Sequence, residues 1–281
     1  MNALTQDLQA ACRRLLESGT VKAILGYGRI VPEDPAIPVF ITRPGDTERL
    51  VFDGGCFTNL TTYLARKQVR GMGKIGIVLK GCDERSLVVL EQEGQIDRAN
   101  LHVIGIACPG VDAPSDYKCA SCTVRLPRFA DEIIGEISVT PVPQDYADVE
   151  ELLALPVGER LEHWKKELSR CIKCYACREV CPTCYCGKCI TDKNRPQCID
   201  TSATLKGNFA WQITRAFHQA GRCVDCGECS RVCPAGINLR PLNRALARAA
   251  EKNFGYQSGM DRETPPVVGS YSKTDEEKFI K

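Results

Sequence analysis

Histidine is scarce in this chain: three residues of 281, scattered at His102, His163 and His218 with no ligand-spaced partner around any of them. That scarcity leaves no Ser–His–Asp arrangement and no histidine-built metal site, and neither a P-loop nor a paired-carboxylate motif takes their place. Charge of one sign is also missing. Lys and Arg total 37 against 35 Asp and Glu, a net +2 with no basic stripe, which disfavours nucleic-acid binding. No apolar run approaches the ~20 residues of a membrane span. The first nineteen residues alternate charged and apolar side chains and lack the continuous apolar core of an export signal, so the expected compartment is the cytoplasm. Hydrophobic residues at 43% and charged residues at 26% are the proportions of a folded globular chain. What is abundant is cysteine, 18 residues in all.

Twelve of these cysteines fall between Cys171 and Cys233, many only two or three positions apart. Neighbours so close rarely reach the geometry of a disulfide. A chain of this length also builds its own core, unlike the short secreted scaffolds that depend on disulfides. The cysteines are therefore read as thiolate ligands of soft metal centres.

Along the chain the pattern divides in two, with a boundary near residue 155. Residues 3–18 have the apolar spacing of a helix that stops at Gly19. Strand-like runs follow at Val21–Leu25, Val39–Thr42 and Leu50–Phe52, and Thr58–Gln68 reads as a helix. The clearest unit is residues 74–107. An apolar strand (KIGIVLK) ends at a Gly81-Cys82-Asp83 turn, a helix capped by Asp83 runs over Glu84–Glu93, and a second apolar strand (LHVIGIA) follows. Strand, helix and strand in this order predict an α/β domain on a parallel sheet over 1–155. Beyond it the pattern turns helical at Arg160–Arg170, Phe209–Ala220 and Leu239–Lys252, predicting an α-helical domain over 156–255. The tail, 256–281, with Pro265-Pro266 and many charges, reads as flexible or partner-docking.

The second half contains an internal repeat. Residues 171–182 read CIKCYACREVCP and 223–234 read CVDCGECSRVCP, both C-x2-C-x2-C-x3-C-P. Two-residue spacings bring three thiolates of one tight loop to three irons of a cubane, and the fourth, before proline, points away from the loop. In two-cluster ferredoxins that fourth thiolate ligates the other cluster. The expected sets are therefore crossed: Cys171, Cys174, Cys177 and Cys233 for one [4Fe–4S] cluster, Cys223, Cys226, Cys229 and Cys181 for the other. Four-cysteine zinc sites also use C-x2-C units, but they pair one such unit with another. The motifs resemble those of ferredoxin-type dicluster domains. With helices around each block and 41 residues between Cys181 and Cys223, residues 160–255 look most like the α-helical ferredoxin domains of succinate dehydrogenase and heterodisulfide reductase iron–sulfur subunits.

Directly after the first motif comes TCYCGKC, then Cys198. Cys184, Cys186, Cys189 and Cys198 suffice for a further iron–sulfur or zinc site, the alternative being spare thiols packed near the first cluster.

In the α/β half, Cys82 and Cys108 end successive strands at the sheet edge where open parallel sheets bind ligands, and Cys119 and Cys122 form a C-x2-C just beyond. Together they form a candidate [4Fe–4S] set. A zinc site, or a redox-active Cys82 beside a separate pair, stays open. Cys56 is a candidate substitute ligand or a lone thiol, and Cys12 faces the core of its helix.

The segments GIVLKGCDERS, VIGIACPG and KCASCTVRLPRFADEIIGEISV resemble the β-subunit family of coenzyme F420-reducing hydrogenases and formate dehydrogenases over about residues 70–140. The matching positions are Cys82, Cys108, Cys119 and Cys122, then Ala130, Asp131 and Glu136-Ile137-Ser138. The resemblance implies a [4Fe–4S] cluster, and FAD and F420 as cofactor and substrate, although the flavin-contacting loops do not match residue by residue. It also differs in order, since the ferredoxin module of that family usually precedes this domain.

The text G-x-G-x-x-G at Gly71–Gly76 precedes its strand and so lacks the geometry of a phosphate cradle. The expected function is a non-catalytic iron–sulfur electron-transfer subunit with at least two, and up to four, clusters. Its expected setting is an anaerobic oxidoreductase complex of heterodisulfide reductase, formate dehydrogenase or hydrogenase type, with a flavoprotein, hydrogenase or formate dehydrogenase as neighbour. The alternatives are an FAD enzyme oxidising reduced F420 or NAD(P)H, and a zinc-stabilised scaffold.

Overall fold

The computed structural model describes residues 2–111, 117–137, 140–192, 196 and 199–270. Contacts divide the chain into two units, Met1–Gln144 and Asp145–Lys281.

In the first unit, helix α1 (Ala3–Glu17) is capped by the Asn2 side chain, which accepts from the Thr5 amide. Its buried stripe of Leu8, Ala11, Cys12 and Leu15 lies at helical spacing and enters the core, Cys12 as expected. Strands β1 (Ala23–Gly28) and β2 (Ile37–Ile41) follow. The helix expected over Thr58–Gln68 is instead a 3-10 turn at Leu60–Tyr63 and a short helix α2 (Lys67–Arg70). The reason is local: Asn59 Oδ1 accepts from the Thr61 amide and hydroxyl and holds the chain in a tight turn. Residues 50–52 contribute only one bridge, Leu50 to Gly28, rather than a strand.

The βαβ unit is present as β3 (Ile75–Lys80), α3 (Gly81–Gln92) and β4 (Leu101–Ile106). Helix α4 (Tyr117–Ala120) and strand β5 (Glu132–Ile134) complete the unit. The sheet order is β2-β1-β3-β4-β5, parallel from β1 to β5, with β2 antiparallel at its edge. The parallel strands carry near-continuous buried side chains such as Ile24, Ile77, Val78, Val103 and Ile104. Each such side chain contributes about 1.5–3 kcal/mol by leaving water. Helix α3 begins one turn earlier than expected. Lys80 takes the N-cap position, and Asp83 lies in the first turn and pairs with Lys80 instead of capping.

The second unit is helical: α5 (Ala147–Ala154), α6 (Val157–Ser169), α7 (Ala176–Glu179), α8 (Leu205–His218), α9 (Glu228–Arg231) and α10 (Arg240–Phe254). Helix α5 occupies an acidic stretch just before the expected boundary near residue 155. Its acidic side chains meet basic residues of α10, Asp148 pairing with Arg244 and Glu150 with Arg248. The apolar core is small: Leu168, Cys177, Trp211, Ile237 and Leu239, with further cysteines packed on it. After α10, Gly255 adopts a left-handed conformation (φ 64°) and turns the chain. Tyr256 and Ser258 are then buried, so the start of the expected tail is packed; residues 271–281 lie outside the described residues.

Candidate metal centres

The two motif loops fold alike. Lys173 (φ 54°) and Tyr175 (φ 62°) in the first are matched by Asp225 (φ 59°) and Gly227 (φ 70°) in the second. Among the described residues, Lys173, Tyr175 and Asp225 are the only non-glycine residues with left-handed φ. Such conformations cost about 1–3 kcal/mol each and persist where the surroundings impose them. Alternating left- and right-handed residues turn successive amides toward one concave side, the arrangement found around anions and iron–sulfur centres. Each loop then enters a one-turn helix, α7 or α9, that carries its third cysteine.

The structure brings Cys181 of the first motif to Cys223, Cys226 and Cys229 of the second. These four line one pocket together with Thr183, Arg215 and Gln219. Burial pushes the Cys223 and Cys229 thiols up to about 12. Metal binding to thiols of that kind releases their protons. Cys171, Cys177 and Cys233 pack about the Leu168–Trp211 core. Burial raises the Cys177 thiol pKa, with the nearby Cys171 and Cys233 contributing. Sulfurs in this set already receive amide donors, Lys173 N to Cys171 Sγ and Ile237 N to Cys233 Sγ, both at 3.4 Å. Cys174 is exposed.

The TCYCGKC cysteines are spread apart. Cys184 turns toward Cys181, and a hydrogen bond between the two holds the Cys181 thiol below its ordinary range while raising that of Cys184. Cys186 is exposed, and the Cys189 sulfur lies 2.6 Å from Thr191 Oγ1. Cys198 lies outside the described residues. Among the described residues, no three His, Cys, Asp or Glu side chains converge as ligands of one metal ion.

In the first unit, Cys82 opens α3, Cys108 follows β4, Cys119 lies on α4 and Cys122 just after it. Loop 122–125 ties them together: the Cys108 amide donates to Arg125 O (3.0 Å) and Arg125 Nη2 donates to Cys119 O (2.7 Å). A Cβ on Gly81 would meet the Val124 carbonyl oxygen at 2.4 Å, so only glycine permits this approach. Burial raises the pKa of Cys82, Cys108 and Cys122, and each also feels the charge of another member of the set. Cys56 lies in a turn where its sulfur accepts from the Asp53 amide (3.4 Å), and burial pushes its thiol up to about 11. Ser138 of the resembling segment lies outside the described residues.

Sequence reasoning missed the polar groups around these thiols. Asn208, Gln212, Arg215 and Gln219 are all buried at helical spacing on and just after α8. Asn208 Nδ2 donates to Cys171 O (2.7 Å), Gln212 Nε2 to Cys171 Sγ (3.6 Å), Arg215 Nη2 to Cys177 O (2.9 Å) and Gln219 Nε2 to Cys184 Sγ (3.2 Å). The 4-3-4 spacing was the available signal; polar side chains between two cysteine blocks read by default as a solvated face.

No protein-family model matches the chain. Among curated proteins it is similar to the F420-dependent formate dehydrogenase subunit beta of Methanocaldococcus jannaschii, 35% identical over 92% of this chain and 92% of that one. It is 23% identical to F420-dependent formate dehydrogenase 1 subunit beta of Methanococcus maripaludis, over 94% and 93% of the two chains. The polyferredoxin protein MvhB of Methanothermus fervidus is 31% identical over 27% of this chain and 22% of its own. Among the described residues no helix is long and apolar enough to cross a membrane. An alignment through nearly the whole of both chains, at that identity, spans both units, and the chain belongs to the F420-dependent formate dehydrogenase beta-subunit family.

Proposed function

We propose that this chain is the iron–sulfur electron-transfer subunit of an oxidoreductase complex of formate dehydrogenase or hydrogenase type. The observation that carries the proposal is the single cavity lined by Cys181 together with Cys223, Cys226 and Cys229. This is the crossed set that a two-cluster ferredoxin domain requires.

In this reading Cys181, Cys223, Cys226 and Cys229 hold one [4Fe–4S] cluster, and Cys171, Cys174, Cys177 and Cys233 a second. Cys82, Cys108, Cys119 and Cys122 hold a third in the first unit. When bound, the clusters supply reversible one-electron storage. The residues of the chain do the rest. The left-handed loops direct amides at the sulfurs, α8 supplies further donors, and burial excludes the water that would otherwise solvate the thiolates. The twice-repeated C-x2-C-x2-C-x3-C-P spacing supports clusters over zinc, whose four-cysteine sites pair one C-x2-C unit with another.

The test is anaerobic purification of the full chain with cofactor extraction, followed by assay with reduced F420 and NAD(P)H. The carrier reading expects iron–sulfur absorbance and no turnover until a partner subunit is added. Bound FAD with turnover by the isolated chain would establish the flavoenzyme instead, and zinc in place of iron would establish a scaffold.

A further inference from the structure

Arg215 is buried, 5% exposed, yet among the described residues it forms no ion pair with a carboxylate. Among the described residues its Nε–H has no hydrogen-bond partner. A guanidinium taken out of water without a counter-ion costs several kcal/mol, so the fold must provide negative charge beside it. Cysteines provide it. Arg215 donates from Nη2 to the Cys177 carbonyl (2.9 Å) in the first loop and also lines the cavity of Cys181, Cys223, Cys226 and Cys229. The residue therefore touches both cysteine sets.

We propose, resting on the iron–sulfur reading above, that Arg215 is a positioning residue whose charge serves as the shared counter-ion of both centres in the second unit and raises the reduction potential of each. Reduction adds one negative charge to a thiolate set, and a fixed cation in a low-dielectric site favours the state with more negative charge. The surrounding groups are consistent with this. The other buried polar residues on this face of α8, Asn208, Gln212 and Gln219, are neutral. The nearby acidic residues are already engaged: Asp225 with Arg240 and Arg244, and Glu228 with Arg231.

The experiment is an EPR-monitored dithionite titration of the anaerobic full chain, with iron and acid-labile sulfide measured alongside, for the native protein, Arg215→Gln and Arg215→Lys. Arg215→Gln is expected to make both centres at least tenfold harder to reduce, about 59 mV each for a one-electron couple. Arg215→Lys, which retains the charge but not the planar fork, is expected to stay near the native values. If the second unit loads no iron in Arg215→Gln but does in Arg215→Lys, the requirement for charge is supported. Unchanged midpoints in a loaded Arg215→Gln protein, a shift in one centre only, equal shifts in both variants, or failure of both variants to load would overturn the proposal. A native chain without iron–sulfur centres would overturn the underlying reading instead, so the two failures are distinguishable.

Discussion

Lys80 Nζ lies 2.7 Å from Asp83 Oδ2 with both side chains out of contact with water, 1% and 0% exposed. The ammonium also donates to the Cys56 carbonyl (2.9 Å) and to the Tyr27 hydroxyl, which in turn donates to the Thr58 carbonyl (2.6 Å). This network sits where β3 passes into α3, immediately before Cys82. Removing one charge strands the other. Lys80→Met or Asp83→Asn should each cost about 3–5 kcal/mol, whereas changing both together should cost less than the sum. Hydrogen exchange of the β3 amides measures this; additive costs would show that the two charges are not coupled.

Gly81 bears on the same junction. Gly81→Ala should push loop 122–125 away from α3 and lower the iron bound by the first unit, because the obstructing atoms are backbone. Gly45→Ala, where a new Cβ would meet nothing within 4 Å, is the control and should bind iron normally. Iron stoichiometry of the two purified proteins distinguishes the cases.

Arg29 and Asp53 form a two-bond pair, Nη1 to Oδ2 at 2.6 Å and Nη2 to Oδ1 at 2.7 Å. The Arg29 hydrogen bonds hold the Asp53 carboxyl below its ordinary range. A lowered folded-state pKa contributes stability that is present above the unfolded value, about 3.9, and is lost as pH falls through the folded value. Arg29→Met should return Asp53 to the ordinary range and move the acid-induced loosening of the 53–56 turn to higher pH. A carboxyl-carbon NMR titration of Asp53 reports this, and an unmoved titration would contradict the account.

The βαβ unit was legible because its strands are long apolar runs broken by one glycine-bearing turn. Strand β5 was not. It is three residues at a half-buried edge, and its entry is set by Asp131, whose carboxylate accepts from the Val103 amide (2.6 Å) and pairs with Arg98 (2.8 Å), a contact made across the fold. Helix α5 was hidden for a related reason. Its Asp148 and Glu150 look like solvent-facing linker charge until Arg244 and Arg248 of α10 are brought to them. The cysteine spacing pointed to Cys181 sharing a site with the second motif, because that inference needs only loop geometry. The role of Arg215 needed the packing of α8, which no local pattern encodes.

Both tryptophans, Trp164 and Trp211, lie in the second unit, whose apolar core is small, while the first unit has an extensive core of its own. Chelation of iron should therefore unfold the second unit and leave the β3–β4 amides protected. Tryptophan emission should shift to that of solvent-exposed rings. Unchanged emission after complete iron removal would show that bound metal does not hold this unit together.

Most direct of all is Mössbauer spectroscopy of the full chain, grown on iron-57 and purified without oxygen. Cubane doublets accounting for about eight or more irons per chain, matched by acid-labile sulfide, are the predicted result. Stoichiometric zinc with no sulfide and no cubane signal would contradict the account at its foundation.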